Sequence, residues 1–102
     1  MPQQQRNTRE RERTDLWEPS RYNVILHNDD FTPMDFVVMI LTKIFFKPEK
    51  EATEIMLNVH NDGKGVVGPY TYDVAHSKAA KATFISRNNN FPLRLTVEPA
   101  ED

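Results

Sequence analysis

Along this chain apolar residues recur now with the two-residue period of a strand, now with the period of a helix, and the succession reads β-α-α-β-α-β. The last segment, Leu93-Arg94-Leu95-Thr96-Val97-Glu98, alternates strictly, as a strand does when one of its faces is covered and the other is wet. These two features predict an α+β domain of two layers, in which three helices pack on a small, mainly antiparallel three-stranded sheet.

Taken in order, the first 19 residues stand apart. Gln3-Gln4-Gln5 and Arg9-Glu10-Arg11-Glu12-Arg13 are polar and charged, and Leu16 and Trp17 supply nearly all the large apolar surface before Pro19. Such a stretch buries too little surface to offset its ordering entropy, which predicts a disordered N-terminal arm over 1–19 and a folded core domain over 20–102. In the first strand Tyr22, Val24 and Leu26 share one face, and Asn23, Ile25 and His27 share the other. The bend that follows is Asn28-Asp29-Asp30-Phe31-Thr32-Pro33-Met34-Asp35. Here Thr32 is expected as the N-cap of a helix, Pro33 as its first residue and Asp35 as the acidic third position of a capping box.

That helix carries Phe36, Val37, Ile40, Leu41, Ile44 and Phe45 on one stripe. Lys47-Pro48 ends it, and Pro48 is placed to open the next, with Glu49 and Glu51 suited to that helix's positive end. The second helix has Ala52, Ile55, Met56 and Val59 as its apolar positions and His60 in its last turn. Asn61-Asp62-Gly63 signals a turn, and the segment from Gly65 to Tyr70 reads as a short strand whose Pro69 argues for an edge or a strand end. Thr71 can cap a third helix running to about Arg87. Its small residues Ala75, Ala79 and Ala82 fall on one face, and Asn88-Asn89-Asn90 stops it with residues that tolerate left-handed backbone.

Composition narrows the function classes. A chain of 102 residues is one domain with a modest core, and its formal net charge of −2 gives no basic face for nucleic acid. With no cysteine, disulfides and thiolate metal sites are excluded. No apolar run approaches the roughly 20 residues that span a bilayer, and the N-terminus has no apolar signal core, so the cytoplasm is the expected location.

Asn28, Asp29 and Asp30 offer more acceptor and amide capacity than one helix end can use. A metal hydrolase would need several converging His and carboxylates, but the chain has three His in all, and His27 and His76 lack ligand partners at helical spacing. A nucleophilic enzyme would need a Cys, a Gly-rich nucleophile turn or a Ser-His pairing, and none is evident. A binding site for a cationic group fits better. A carboxylate, an amide oxygen and a neutral imidazole nitrogen, the last from His60, are the acceptors that the three N–H donors of an ammonium require. Met34, Val37, Met56 and Val59 lie on the two helices flanking these polar groups. Each could be plain core, although methionine also lines adaptable apolar sites well.

The run from Asn28 to Val37, with Met56-Leu57-Asn58-Val59-His60 and Gly63-Lys64-Gly65, closely resembles the ClpS family over roughly Tyr22 to Glu98. Members are α+β adaptors, not enzymes, and use no cofactor or metal. They bind N-degron proteins whose first residue is Phe, Tyr, Trp or Leu and hand them to a Clp AAA+ unfoldase, ClpA or ClpC. The resemblance implies that Asn28, Asp29 and His60 hold the substrate's α-amino group. It implies that Asp30, Thr32, Met34, Val37, Met56, Val59 and Leu93 shape the side-chain pocket. It further implies contact with the unfoldase's N-terminal domain near Tyr72, Asp73 and Lys78, a role for the arm in delivery, and action as a monomer without nucleic acid or membrane. The alternative is a regulatory interaction domain that docks on an unfoldase without reading an N-terminal residue.

Overall fold

The computed structural model describes residues 20–100. The expected arm, residues 1–19, and the last two residues of the expected core domain lie outside the described residues.

Within them the order is β1 (Tyr22–His27), α1 (Met34–Lys43), α2 (Glu49–Asp62), β2 (Lys64–Tyr70), α3 (Tyr72–Asn88) and β3 (Arg94–Pro99). The sheet is antiparallel with spatial order β2-β1-β3, so β1 is central and Pro69 falls on an edge strand, where its missing donor is tolerated. This is the α+β architecture that the periodicities predict.

One face of the sheet meets the helices. Val24 and Leu26 of β1 are fully buried, and Val67 of β2 lies opposite Val24. They join Phe36, Val37, Ile40 and Leu41 of α1, Ile44 and Phe45 just past its end, and Ala52, Ile55 and Val59 of α2, all buried. Ala75, Ala79 and Ala82 bring α3 close to the sheet, because a methyl is all that separates the two backbones there. Gly65 does the same for α2. A Cβ at Gly65 would stand 2.7 Å from Val59 Cγ2 and 3.0 Å from the carbonyl oxygen of Ile55, so helix and strand approach at a distance only glycine permits.

Helix ends depart from expectation at their starts. Pro33, not Thr32, is the cap of α1, with extended backbone (φ −68°, ψ 149°), and Met34 is the first helical residue. No side chain caps this helix. The Thr32 hydroxyl donates to Asp29 Oδ2 at 2.8 Å, which turns its side chain back toward the loop rather than to the helix end. Pro48 likewise precedes α2 as its cap rather than opening it, and Thr71 caps α3 with its backbone alone. α1 ends at Lys43, short of the expected stop at Lys47-Pro48, and Phe46 beyond it takes left-handed backbone (φ 56°). The C-termini of α2 and α3 follow expectation. Gly63 ends α2 in the left-handed region (φ 92°), and Asn90 ends the turn after α3 there too (φ 64°). The Phe91 and Asn90 amides donate back to Ser86 and Arg87 in the pattern that such a residue closes.

The sheet's other face carries Asn23, Ile25 and His27. Ile25 is buried to 4% exposure although it points away from the helices, because it is flanked by Val66 on β2 and Thr96 on β3.

Candidate functional site

The loop leaving β1 is pinned at both ends. At its start the Asn28 amide donates to the Gly63 carbonyl at 2.9 Å, which ties the end of β1 to the turn that ends α2 and brings Asn28 beside the last turn carrying His60. Further on, Asp29 gathers the loop around its carboxylate. Oδ1 accepts from the amides of Phe31 (2.8 Å) and Thr32 (2.7 Å), and Oδ2 accepts from the Thr32 hydroxyl. Partial burial alone would raise the Asp29 pKa. The Thr32 and Phe31 hydrogen bonds, with the positive charge of Arg87, more than offset this and hold it below the ordinary carboxylate value.

Between this loop and helices α1 and α2 lies an open cavity of about 370 Å³, lined by Asn28, Asp29, Asp30, Phe31, Thr32, Pro33, Met34, Val37, Met56, Val59 and His60. Val37 and Val59 form buried walls, with 5% and 3% exposure, and Met56 is partly buried between them and solvent. Met34, 46% exposed at the first position of α1, stands on the rim. One end of the cavity is thus polar and rich in acceptors, and the other is apolar. A carboxylate accepts about four hydrogen bonds, so Asp29 keeps one position and its charge free for a ligand, with the Asn28 amide and the His60 ring exposed next to it.

The structure therefore brings together nine of the ten residues expected at a ligand site: Asn28, Asp29, His60, Asp30, Thr32, Met34, Val37, Met56 and Val59. Leu93 is placed elsewhere: it is 1% exposed within the core and does not line the cavity, its carbonyl accepting from Arg87 Nη1 at 2.8 Å. Two lining residues, Phe31 and Pro33, are not among the ligand-site residues expected from the sequence. The signal was their position inside the same uninterrupted run. Among the described residues no group of three or more His, Cys, Asp or Glu is arranged to hold a metal ion.

Comparison with known proteins decides the family. The family model described as ATP-dependent Clp protease adaptor protein ClpS matches residues 17–96. The chain belongs to the ClpS family. It is 56% identical over 83 residues to the ATP-dependent Clp protease adapter protein ClpS of Syntrophus aciditrophicus, which covers 81% of this chain and 78% of that one. It is 45% identical over 94 residues to the protein of the same name from Shewanella denitrificans, covering 92% of each. Among solved structures, Agrobacterium tumefaciens ClpS2 bound to L-phenylalaninamide superposes with a TM-score of 0.78 at 37% identity, covering 81% of this chain and all of that one. As a ClpS protein the chain is an adaptor of the ATP-dependent Clp protease and not itself an enzyme.

The ClpS residues expected to meet an unfoldase lie away from the cavity. Tyr72 and Asp73 open α3 and border a shallow depression with Ser20, Tyr22 and Thr71. The Tyr72 ring packs edge-on against Tyr22 at 5.1 Å and lies 4.2 Å from the ring of His76. Lys78 is further along α3. Its ammonium donates to the Ile44 carbonyl at 2.9 Å and sits 4.5 Å from the centre of the exposed Phe46 ring, so it already braces the end of α1. Tyr22 begins β1 and Asn28 follows its end. At about 3.3 Å per strand residue, roughly 20 Å separates the Tyr22–Tyr72 pair from the polar end of the cavity.

Proposed function

We propose that this ClpS chain binds the free N-terminus of proteins beginning with Leu, Phe, Tyr or Trp and passes them to the unfoldase partner of the Clp protease. The observation that carries this reading is the junction, in one cavity, of an acceptor cluster and an apolar hole. Asn28, Asp29 and His60 accept from the α-ammonium, and the first side chain enters between Met34, Val37, Met56 and Val59, with Asp30 and Thr32 at the polar margin. Only a chain terminus presents a charged amine and a side chain on the same Cα, so the pairing separates a terminal residue from an internal one. The ligand of the Agrobacterium relative, L-phenylalaninamide, has this form: a free amine, a benzyl side chain and an amide where a chain would continue.

The partner, ClpA or ClpC, meets this protein through its N-terminal domain at the Tyr72–Asp73 end, with Lys78 contributing by holding Phe46 and the end of α1 in place. Cavity and docking face lie at opposite ends of β1, so one monomer in the cytoplasm can hold a substrate and an unfoldase together. The arm before Ser20 serves delivery rather than binding, since the described residues by themselves supply both the acceptor cluster and the apolar hole.

Peptides differing only in their first residue test the reading. Those starting with Leu, Phe, Tyr or Trp should bind at least tenfold more tightly than those starting with Ala or Ser. Removing residues 1–19 should leave these affinities unchanged while degradation of an N-degron substrate falls. Indifference to the first residue would return the domain to simple docking on an unfoldase.

A further inference from the structure

Phe31 lines the cavity wall and is yet 75% exposed. It stands beside the exposed Pro33 and the half-exposed Met34, so apolar surface continues from the cavity out over its rim. The ring does not ride on a slack loop. The Phe31 amide and the one after it both donate to Asp29 Oδ1, at 2.8 and 2.7 Å, and the Thr32 hydroxyl closes the turn on Oδ2. A large aromatic side chain left in water on a turn whose backbone is tied down this firmly is held at the cavity mouth before any ligand arrives.

We propose that Phe31 reads the second residue of the bound chain. This rests on the reading of the cavity as a site for an N-terminal residue. The three heavy-atom branches of the first residue's Cα point apart. With the amine on Asn28, Asp29 and His60 and the side chain between Val37 and Val59, the carbonyl branch leads outward over the rim. The second side chain then emerges beside Phe31 and Pro33. An apolar or aromatic second residue covers part of the Phe31 ring and loses water on both surfaces, whereas glycine covers none of it. Phe31 is thus a specificity residue for position two, separate from the group that selects position one.

Calorimetric titration tests this with matched free peptides beginning Leu-Gly, Leu-Ala, Leu-Leu and Leu-Phe, against the full chain and its Phe31→Ala and Phe31→Leu variants. For the native protein, Leu-Leu and Leu-Phe should bind three- to tenfold more tightly than Leu-Gly. In Phe31→Ala the spread should shrink below twofold, and in Phe31→Leu part of it should return. Urea midpoints of both variants close to that of the native protein show that the substitution of this exposed ring leaves the fold intact. A native protein indifferent to the second residue, or a ranking unchanged in Phe31→Ala, overturns the assignment of Phe31 alone. Failure of every free peptide to bind the native chain overturns the cavity reading beneath it.

Discussion

The Thr32 hydroxyl donates to Asp29 Oδ2 at 2.8 Å while the Thr32 amide donates to Oδ1 at 2.7 Å, so one residue holds both oxygens of the carboxylate that faces the cavity. The charge is thereby aimed before a ligand arrives, and no reorientation has to accompany binding. Thr32→Val keeps the shape and removes the hydroxyl donor. A hydrogen bond to a charged group contributes about 1.5–3 kcal/mol, and partial exposure places this one toward the low end. Affinity for a Phe-initiated peptide should fall about tenfold, with a smaller loss of stability in urea. Unchanged affinity would mean that the turn holds Asp29 without Thr32.

How Thr32 is used also marks the limit of what the sequence discloses. A threonine before a proline at a helix start can cap the helix or turn back to an aspartate three residues earlier, and spacing serves both. The helical stripe from Phe36 to Leu41 was legible because a 3.6-residue period admits few other arrangements, whereas Ile44 and Phe45 are buried as expected but past the end of the helix at Lys43. Alternation put Ile25 with Asn23 and His27 on the uncovered face, which is correct. It could not foresee that the central place of β1 would bury Ile25 between Val66 and Thr96. The cavity residues were legible as a set because they crowd into two short runs. The interior position of Leu93 and the bond from Lys78 to the Ile44 carbonyl depend on how α3 and its neighbours pack, which no local pattern encodes.

His27 makes stability depend on pH. It bonds Thr96 Oγ1 through Nε2 at 2.8 Å, and its cross-strand neighbours are Lys64 on one side and Arg94 on the other. Partial burial first, and then the positive charges of Arg94 and Lys64, hold its pKa below the usual histidine value against the pull of Glu98. The unfolded chain therefore takes up this proton before the folded one does. The His27 contribution to stability is whole above about pH 6.5 and is lost as pH falls through the lower folded value. The urea midpoint should drop between pH 7 and pH 5, and His27→Gln should flatten the drop. Parallel profiles for the two proteins would assign the dependence to other groups.

Met34 should decide which apolar residues enter. Its side chain stands at the rim, one turn before Val37. An unbranched thioether there leaves room for first residues that branch at Cγ, as Leu, Phe, Tyr and Trp do. Ile and Val branch at Cβ, nearer the ammonium, and their stiff χ1 gives little freedom to avoid the rim. Steric selection on this scale amounts to about 1–3 kcal/mol. Met34→Ala should let Ile- and Val-initiated peptides bind, with only a modest loss for Leu and Phe. Alanine is well tolerated at a helix start, so the fold should survive. An Ile-to-Leu preference identical in both proteins would remove Met34 from the gate.

The ammonium itself is the most direct test. A peptide beginning with Phe and its N-acetylated twin differ in one charge and two donors, and they share every side chain. Acetylation should leave Asp29 and His60 partly desolvated without a partner, which adds to the loss of a charge-assisted bond. In a binding titration at neutral pH the free peptide should bind at least tenfold more tightly than its twin. Equal affinity for the two would contradict the account at its centre, because the cavity would then be reading a side chain without its terminus.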